Sequence, residues 1–208
     1  MFYRTIDEHL ALKLFSPRDA EEAFGLIDAD REHLRAYLAW VDTILTVADE
    51  RASLTKLGRV DPDQGVSCFL TLDGAIIGAV GLPIIDRTAR WGEIGYWIGS
   101  AHEGHGYVTR AVQEIERLAF TDLGLERVQI TNDVANTRSR AIPERLGYTL
   151  EGILRHHLLS GEGRIVDRSV YGLLKSEWQA REPDRPLCEP IRASREPDWA
   201  ATDTGCGV

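Results

Sequence analysis

The chain has 208 residues, of which 43% are hydrophobic and 27% charged, a composition that argues against global disorder and predicts one domain with a sizeable core. The formal net charge of −9 disfavours a protein that binds nucleic acid, for which a basic face is typical. It suits a cationic partner such as an amine or a basic peptide, although an acidic surface also simply confers solubility.

No segment has the character of a membrane span or a leader. The longest apolar run, residues 75–85, is interrupted by Gly78, Gly81 and Pro83 and is too short to cross a bilayer. The first eight residues do not have the pattern of a signal peptide. We therefore expect a cytoplasmic protein without a membrane partner.

The cysteines and histidines do not form a metal-binding pattern. The three cysteines are scattered and include no Cys-x-x-Cys pair, so neither a disulfide framework nor a zinc site is expected. His102 and His105 fall in a glycine-rich loop, and His156 and His157 are adjacent. Neighbouring residues on a strand point to opposite faces and do not easily hold one ion together. No metal is expected.

The first part of the chain predicts one strand followed by helices. Leucines alternate with other residues over 9–15, which indicates a strand. Ser16 and Pro17 suit an N-cap and the first helical position of a helix that continues to about Asp30. A second helical stretch begins at about residue 31, and a third, polar helix is predicted over 46–57.

The remainder predicts three strands, then a helix, a strand, a helix and a final hairpin. The first two strands, 66–72 and 75–85, are joined by Asp73 and Gly74 as the turn. A helix with a strong apolar stripe begins at Tyr107 and ends before Gly124. The complete set of predicted elements from this part is strands 66–72, 75–85 and 89–98, helix 107–123, strand 127–131, helix 136–146, and strands 148–159 and 165–174.

This order predicts an α/β (α+β) mixed sheet of about seven strands flanked by helices, and it does not fit a doubly wound βα alternation. We assign residues 1–178 to one domain. Residues 179–208 are rich in Pro, Glu, Asp and Arg and are predicted to be a C-terminal tail that contributes little to the core.

The loop before the helix at Tyr107 has the features of an anion site. Strand 89–98 runs into a loop that contains Gly104 and Gly106 and opens directly into the helix. The first turn of a helix carries unpaired N–H groups and the positive end of the helix dipole, so main chain alone can hold a pyrophosphate. The P-loop pattern is absent, because Tyr107 follows Gly106. Two glycines alone favour an ordinary loop and helix cap.

Two spaced motifs change that reading. The segment from Glu103 to Val108 resembles the acetyl-CoA motif of GNAT acetyltransferases, Gln/Arg-x-x-Gly-x-Gly/Ala, with Glu103 and Val108 as departures. Asn136-Thr-Arg-Ser139, followed by Leu-Gly-Tyr148, resembles the Asn-x-x-Ser…Leu-Gly-Phe/Tyr signature of the RimJ/RimL branch, which contains ribosomal-protein N-terminal acetyltransferases. The resemblance covers about residues 9–178.

The resemblance implies the GNAT fold and a binding site for acetyl-CoA. In that fold strands 89–98 and 127–131 splay apart, and the pantetheine lies between them, paired with the backbone of Tyr96 and Ile98. Amides of the loop and the helix start contact the pyrophosphate, and Asn136 hydrogen-bonds the cofactor. The implied cofactor-binding residues are Tyr96, Trp97, Ile98, His105, Gly106, Tyr107, Val108, Thr109, Asn136 and Ser139.

The resemblance also implies roles in acetyl transfer. Ser139, one helical turn after Asn136, is the candidate acid for the leaving thiolate, while the plain alternatives are a solvated serine and an N-cap asparagine. A glutamate on the sixth strand acts as a base through water in members of this branch, but that position maps to Leu158. Glu93 and His157 are the alternative bases.

Trp40 is expected to wall the acceptor pocket, with core packing as the alternative. The implied function is acetyl-CoA-dependent N-acetylation of a primary amine, such as a protein N-terminal α-amino group on a ribosomal protein. Two alternatives stay open. One is transfer of acetyl or another acyl group, such as succinyl, to a small amine. The other is a non-catalytic acyl-CoA-binding module, which Leu158 favours. A homodimer is compatible with the sequence but not implied by it.

Overall fold

The computed structural model describes residues 2–58 and 65–181. An eight-stranded sheet has the order β1-β2-β3-β4-β5-β6-β8-β7, and its neighbours are antiparallel except for the parallel pair β5 and β6. The strands are β1 (Phe2–Thr5), β2 (Leu10–Leu14), β3 (Val66–Leu72), β4 (Ala75–Asp86), β5 (Trp91–Ile98), β6 (Arg127–Asp133), β7 (Thr149–Leu159) and β8 (Ile165–Leu174).

Helices cover both faces of the sheet. They are α1 (Ala20–Ala29), α2 (Arg31–Arg35), α3 (Val47–Leu57), α4 (Tyr107–Arg117), α5 (Thr137–Arg145) and α6 (Lys175–Arg181). Short 3₁₀ turns lie at Pro17–Asp19, Ala39–Thr43 and Ser100–His102, and a π-helical turn, Leu118–Asp122, extends α4. No helix within the described ranges is both long and apolar enough to cross a membrane.

The predicted fold class is confirmed, with one strand more than expected. Strand β1 was not predicted, because four residues are too few for an alternating pattern to be recognised. The predicted domain boundary at Trp178 falls inside α6, whose Trp178 ring lies 5.3 Å from that of Phe120. Residues 182–208, most of the predicted tail, lie outside the described residues.

The apolar stripe of α4 explains why this helix lies against the sheet. Its buried residues pack with core-facing side chains of β2 to β6 and β8 in one large cluster. Helices α1 and α3 pack on the opposite face through a second cluster around Phe69 and Leu54. The stripe predicted from the sequence is buried as expected: Val108, Ala111, Val112, Ile115, Leu118 and Ala119.

The sheet opens between β5 and β6. Their parallel pairing runs only from Trp91 and Arg127 to Ile94 and Ile130. Beyond that point β5 continues to Ile98 while paired with β4, and β6 continues to Asp133 while paired with β8. The two strands therefore diverge at their carboxyl ends and leave two unpaired backbone edges facing a gap.

Candidate active site

The gap between β5 and β6 presents backbone groups of alternate residues. The amide of Gly99 donates to the carbonyl of Ile77, 2.9 Å away, on the β4 side. Because successive residues of a strand direct their polar groups to opposite sides, Tyr96 and Ile98 direct theirs toward the gap. These two residues are the ones predicted to pair with pantetheine. Trp97, between them, directs its backbone toward β4 and packs its ring against the α1 side of the sheet.

A cluster of three polar side chains lies at the edge of this gap. Asn132 Nδ2 donates to Ser139 Oγ at 2.6 Å, and Ser139 Oγ lies 3.3 Å from the hydroxyl of Tyr96. The Tyr96 hydroxyl donates to the Ser139 carbonyl at 2.9 Å. Burial raises the pKa of Tyr96 to about 12, partly offset by its hydrogen bonds to Ser139 and Asn132, so the phenol stays protonated at neutral pH. Ser139 Oγ is thus held in place by Asn132 and Tyr96.

Asn136 begins helix α5 as its N-cap. Its Oδ1 accepts from the Ser139 amide at 3.0 Å, which satisfies an N–H group of the first turn. The capping role considered from the sequence is therefore present, and through it Asn136 fixes the start of the helix that carries Ser139. The predicted contact of Asn136 with the cofactor stays a prediction.

The loop before α4 leaves room for an anion. Gly104 and Gly106 have φ values of +80° and +75°, and a Cβ at either would point into open space. Gly106 is the N-cap of α4, whose intrahelical bonding begins with the Arg110 amide donating to the Gly106 carbonyl at 3.1 Å. The amides of Tyr107, Val108 and Thr109 therefore lie in the first turn, where intrahelical acceptors are lacking. This is the arrangement that binds phosphate groups through main chain.

The side chains of the predicted phosphate segment have varied surroundings. His105 is exposed and stacks on Tyr107 with 5.3 Å between ring centroids. Val108 is buried in the core, so only its backbone is available to a ligand. Thr109 Oγ1 accepts from Arg145 at 3.2 Å, which brings a guanidinium close to the start of α4.

Glu103, which replaces Gln or Arg of the motif, takes part in a bridge across the mouth of the gap. Its carboxylate lies 3.0 Å from His33 Nε2 of α2 and forms an ion pair with Arg138 of α5. An uncompensated carboxylate here would repel phosphate groups. The neighbouring arginine, which is 73% exposed, balances that charge.

Glu93 lies on the other face of the sheet at the same level. Its carboxylate accepts from Thr131 Oγ1 at 2.6 Å, from Arg168 Nη2 at 2.6 Å and from Gln129 Nε2 at 2.9 Å. Thr131 and Asn132 are consecutive on β6 and point to opposite faces. The Glu93 cluster and the Ser139 cluster therefore flank the point where β5 and β6 separate, one on each side of the sheet.

The second candidate base is not brought into this arrangement. His157 is exposed on β7, and the residue that lines the cleft is its neighbour Leu158, paired with Val166. The register of β7 shifts between Leu154 and Leu158, and His156 in this bulge has φ of +49°. The structure thus places Leu158, which has no carboxylate, at the cleft wall.

Trp40 lines the Glu93 side of the cleft. Its side chain is 37% exposed and its ring lies 6.0 Å from that of Trp97. The turn between β7 and β8 closes against α2, since a side chain at Gly161 would collide with the Arg35 carbonyl. Leu158 and Leu159 line the same cleft.

Together these residues enclose a continuous cleft of about 1230 Å³ that passes from the α4 loop through the gap to the Glu93 side. The residues present fit acetyl-CoA. The glycine loop leaves open space for phosphates, the edges of β5 and β6 are unpaired, and buried Asn132 has an Oδ1 atom without a hydrogen-bond partner among the described residues. An amide N–H of the pantetheine arm is the type of donor that such an atom accepts from.

Three groups of the site were missed by the sequence reasoning. Asn132 continues the core-facing alternation of Val128 and Ile130, which was a usable signal for its facing α5. The Tyr96 hydroxyl was overlooked because only the backbone of that residue was considered. Arg168 gave no signal, because its contact with Glu93 depends on the register of two strands far apart in sequence.

The family model of the acetyltransferase (GNAT) domain matches residues 9–149. A Bacillus subtilis (strain 168) protein named "Putative ribosomal N-acetyltransferase YdaF" is 34% identical over 184 residues, which cover 88% of this chain and 100% of that protein.

Solved structures agree with this match. The crystal structure of a "Probable acetyltransferase" is 35% identical with a TM-score of 0.79, covering 84% of this chain and 97% of that one. The microcin C7 self-immunity acetyltransferase MccE, solved with acetyl-CoA and AMP, is 26% identical with a TM-score of 0.75, covering 81% and 94%. The chain described here belongs to the GNAT acetyltransferase family and is an N-acetyltransferase.

Proposed function

We propose that the chain transfers the acetyl group of acetyl-CoA to the α-amino group of a polypeptide, such as the N-terminus of a ribosomal protein, in the cytoplasm. The observation that carries the proposal is the pair of polar clusters on opposite faces of the sheet at the separation of β5 and β6. One contains a hydroxyl suited to protonating a thiolate, and the other a carboxylate suited to accepting a proton from an amine. The name of the B. subtilis relative supports a ribosomal acceptor.

In this proposal the chain acts mainly by positioning. The amides at the start of α4 bind the phosphates, and the backbone of Tyr96 and Ile98 aligns the pantetheine arm, so that the thioester lies in the gap. Alignment of this kind can lower the barrier by about 7–11 kcal/mol in well-oriented reactions. Acetyl-CoA supplies an activated acetyl group, and no metal is required by the scheme.

Proton transfer is divided between the two faces. Glu93 takes the proton of the acceptor amine, directly or through a water molecule. The amine nitrogen forms a bond to the acetyl carbon, the carbon–sulfur bond breaks, and Ser139 gives its proton to the departing thiolate. Ser139 then recovers a proton from solvent, and the amine proton leaves from Glu93.

The surroundings of Glu93 favour an α-amine over a more basic amine. Three donors already occupy most of the roughly four accepting positions of this carboxylate. An α-amino group has a pKa of about 7.7–8.0 and a lysine amine about 10.4, so at neutral pH the α-amine offers roughly 300-fold more of the neutral, reactive form. An acceptor that needs little deprotonation fits a carboxylate held in this way.

The proposal is tested by thiol release from acetyl-CoA with a panel of amines. Peptides with the N-terminal sequences of ribosomal proteins are compared with the same peptides blocked at the N-terminus but containing lysine, and with spermidine. Mass spectrometry locates the acetyl group, and succinyl-CoA is run in parallel. We expect acetylation of the free α-amine. Acetylation of spermidine or lysine alone would replace the proposed acceptor, and CoA binding without transfer to any amine would indicate a binding module.

A further inference from the structure

A guanidinium lies in the acceptor half of the cleft, where removal of a proton from an amine requires only a base. Arg168 of β8 has 23% of its side chain exposed, and its Nη2 atom lies 2.6 Å from Glu93 Oε1 and also contacts the Thr131 hydroxyl. Its Nε atom is buried and has no hydrogen-bond partner among residues 2–58 and 65–181. The contacts of Arg168 with Glu93 and Thr131 all use Nη2, so its Nε–H group is not used by this ion pair.

The charge of Arg168 acts differently on the two classes of amine acceptor. A polyamine carries further positive charges close to its reacting nitrogen, and a guanidinium beside the base repels them. An α-amino acyl unit instead carries a carbonyl group one carbon away from its nitrogen. The carbonyl oxygen is a hydrogen-bond acceptor, and a guanidinium offers five N–H donors in a planar fork.

The spacing of Glu93 and Arg168 suits an α-amino acyl unit. The carboxylate and the guanidinium are in direct contact, and the amine nitrogen and carbonyl oxygen of an N-terminal residue are likewise close neighbours. The acceptor nitrogen can meet Glu93 while its carbonyl oxygen meets Arg168. Trp40 and Leu158 line the same cleft as the pair and offer apolar surface for the side chain of the first residue.

We propose that Arg168 is a specificity-determining residue, which binds the carbonyl oxygen of the acceptor's first residue and so selects amines that are one carbon from a carbonyl. The proposal rests on the proposed function, because it names the part of the acceptor that this site reads. It makes the terminal α-amino acyl unit, as found in peptides and amino-acid amides, the preferred acceptor class.

The test compares two small acceptors with the full-length enzyme and acetyl-CoA. Alanine N-methylamide carries the carbonyl, and 2-aminopentane has the same chain length with hydrocarbon in place of the amide. Rates are expressed per concentration of unprotonated amine, so that the different pKa values of the two amines do not enter. We expect kcat/KM of the wild type to favour the amide by at least about tenfold, and Arg168→Met to reduce that preference by about 10- to 100-fold, the range of one charge-assisted hydrogen bond.

Two further variants keep the result interpretable. Arg168→Lys retains the positive charge beside Glu93 but loses the planar fork, so the preference should fall to an intermediate value even if the Met variant does not fold. Arg164→Met removes an exposed arginine that pairs with Glu162 at the β7–β8 turn, and it should change neither rate.

The experiment distinguishes failure of the Arg168 proposal from failure of the proposed function. If substitution of Arg168 lowers kcat/KM for both acceptors by the same factor, Arg168 serves only to hold Glu93, and this inference is overturned while the proposed function stands. If the wild type acetylates neither these acceptors nor any peptide, the proposed function fails and the inference falls with it.

Discussion

At the scale of single residues, Ser139 is the proposed general acid. Asn132 and Tyr96 hold its hydroxyl at the edge of the gap. We expect Ser139→Ala to lower kcat by about a hundredfold or more, the usual contribution of one general acid, while the Kd for CoA changes little. Steady-state kinetics and calorimetry measure the two quantities.

Asn132→Ala provides the matched comparison, because it removes the hydrogen bond to Ser139 Oγ and keeps the hydroxyl. If Asn132 acts through Ser139, its substitution has little further effect in the Ser139→Ala background. A kcat of Ser139→Ala within a factor of about two of the wild type would make the serine a purely structural residue.

Glu93 is tested by the pH dependence of the rate. The acceptor amine is protonated at low pH and must lose its proton before attack, so a base matters most there. We expect Glu93→Gln to lower kcat/KM on the acid side of the profile and to approach the wild type as pH rises above the amine pKa of about 7.7–8.0.

His157→Ala is the control, since His157 is exposed and lies outside the cleft lining. If this variant shows the acid-side loss and Glu93→Gln does not, the base is on β7. If neither profile changes, solvent or the acceptor itself removes the proton, and catalysis here rests on positioning.

At the scale of elements, the proposed binding of CoA depends on how α4 begins. Gly106 has φ of +75°, and the space beside it is where a ligand would approach the first-turn amides. We expect Gly106→Val to weaken CoA binding by at least about tenfold, because the new side chain enters that space and disfavours the left-handed backbone, at a cost of about 1–2 kcal/mol. Isothermal titration calorimetry gives the Kd.

Gly124→Val is a control at the other end of the same helical segment. Gly124 has φ of +64° and also faces open space, so its substitution brings a similar backbone strain without lying beside the ligand. We expect a comparable loss of stability with unchanged CoA affinity. Equal affinities of the two variants would show that the loop does not contact the cofactor.

The elements themselves were largely predictable, because their signals are local. The stripe of α4 and the Asp73–Gly74 turn follow directly from spacing and composition, and both occur where predicted. The contacts around Glu93 and Ser139 were not predictable in this way. They depend on which residues of β5, β6 and β8 lie opposite one another, and a sequence pattern gives the face of a residue but not its partner across the sheet.

At the scale of the whole molecule, the notable feature is that the sheet is divided. Strands β1 to β5 form one part and β6 to β8 the other, and four paired residues on each of β5 and β6 join them directly. The cleft passes through this division, so that the cofactor and the acceptor can enter from opposite faces and meet at one point. This geometry supports the proposed direct transfer from acetyl-CoA to the amine.

An acyl-enzyme intermediate on cysteine has no support among the described residues. Cys68 is fully buried, and burial raises the pKa of its thiol to about 12, which keeps it protonated and unreactive.

Binding of a ligand in the gap between the two parts of the sheet should also stabilise the folded chain. A ligand that binds only the folded chain, at about 100 times its Kd, adds about 2.7 kcal/mol to the free energy of unfolding. For a chain of about 200 residues each kcal/mol raises Tm by about 2–4 °C, so we expect acetyl-CoA to raise Tm by roughly 5–10 °C in differential scanning fluorimetry. Gly106→Val should show a much smaller rise in Tm at the same concentration of acetyl-CoA, and Gly124→Val the full rise.

Bound acetyl-CoA should also slow hydrogen exchange at the Tyr96 and Ile98 amides, which face the gap. It should not slow exchange at the Trp97 amide, which is already paired with β4. A rise in Tm without slower exchange at those two amides would place the ligand elsewhere and contradict the assignment of the gap as the pantetheine site.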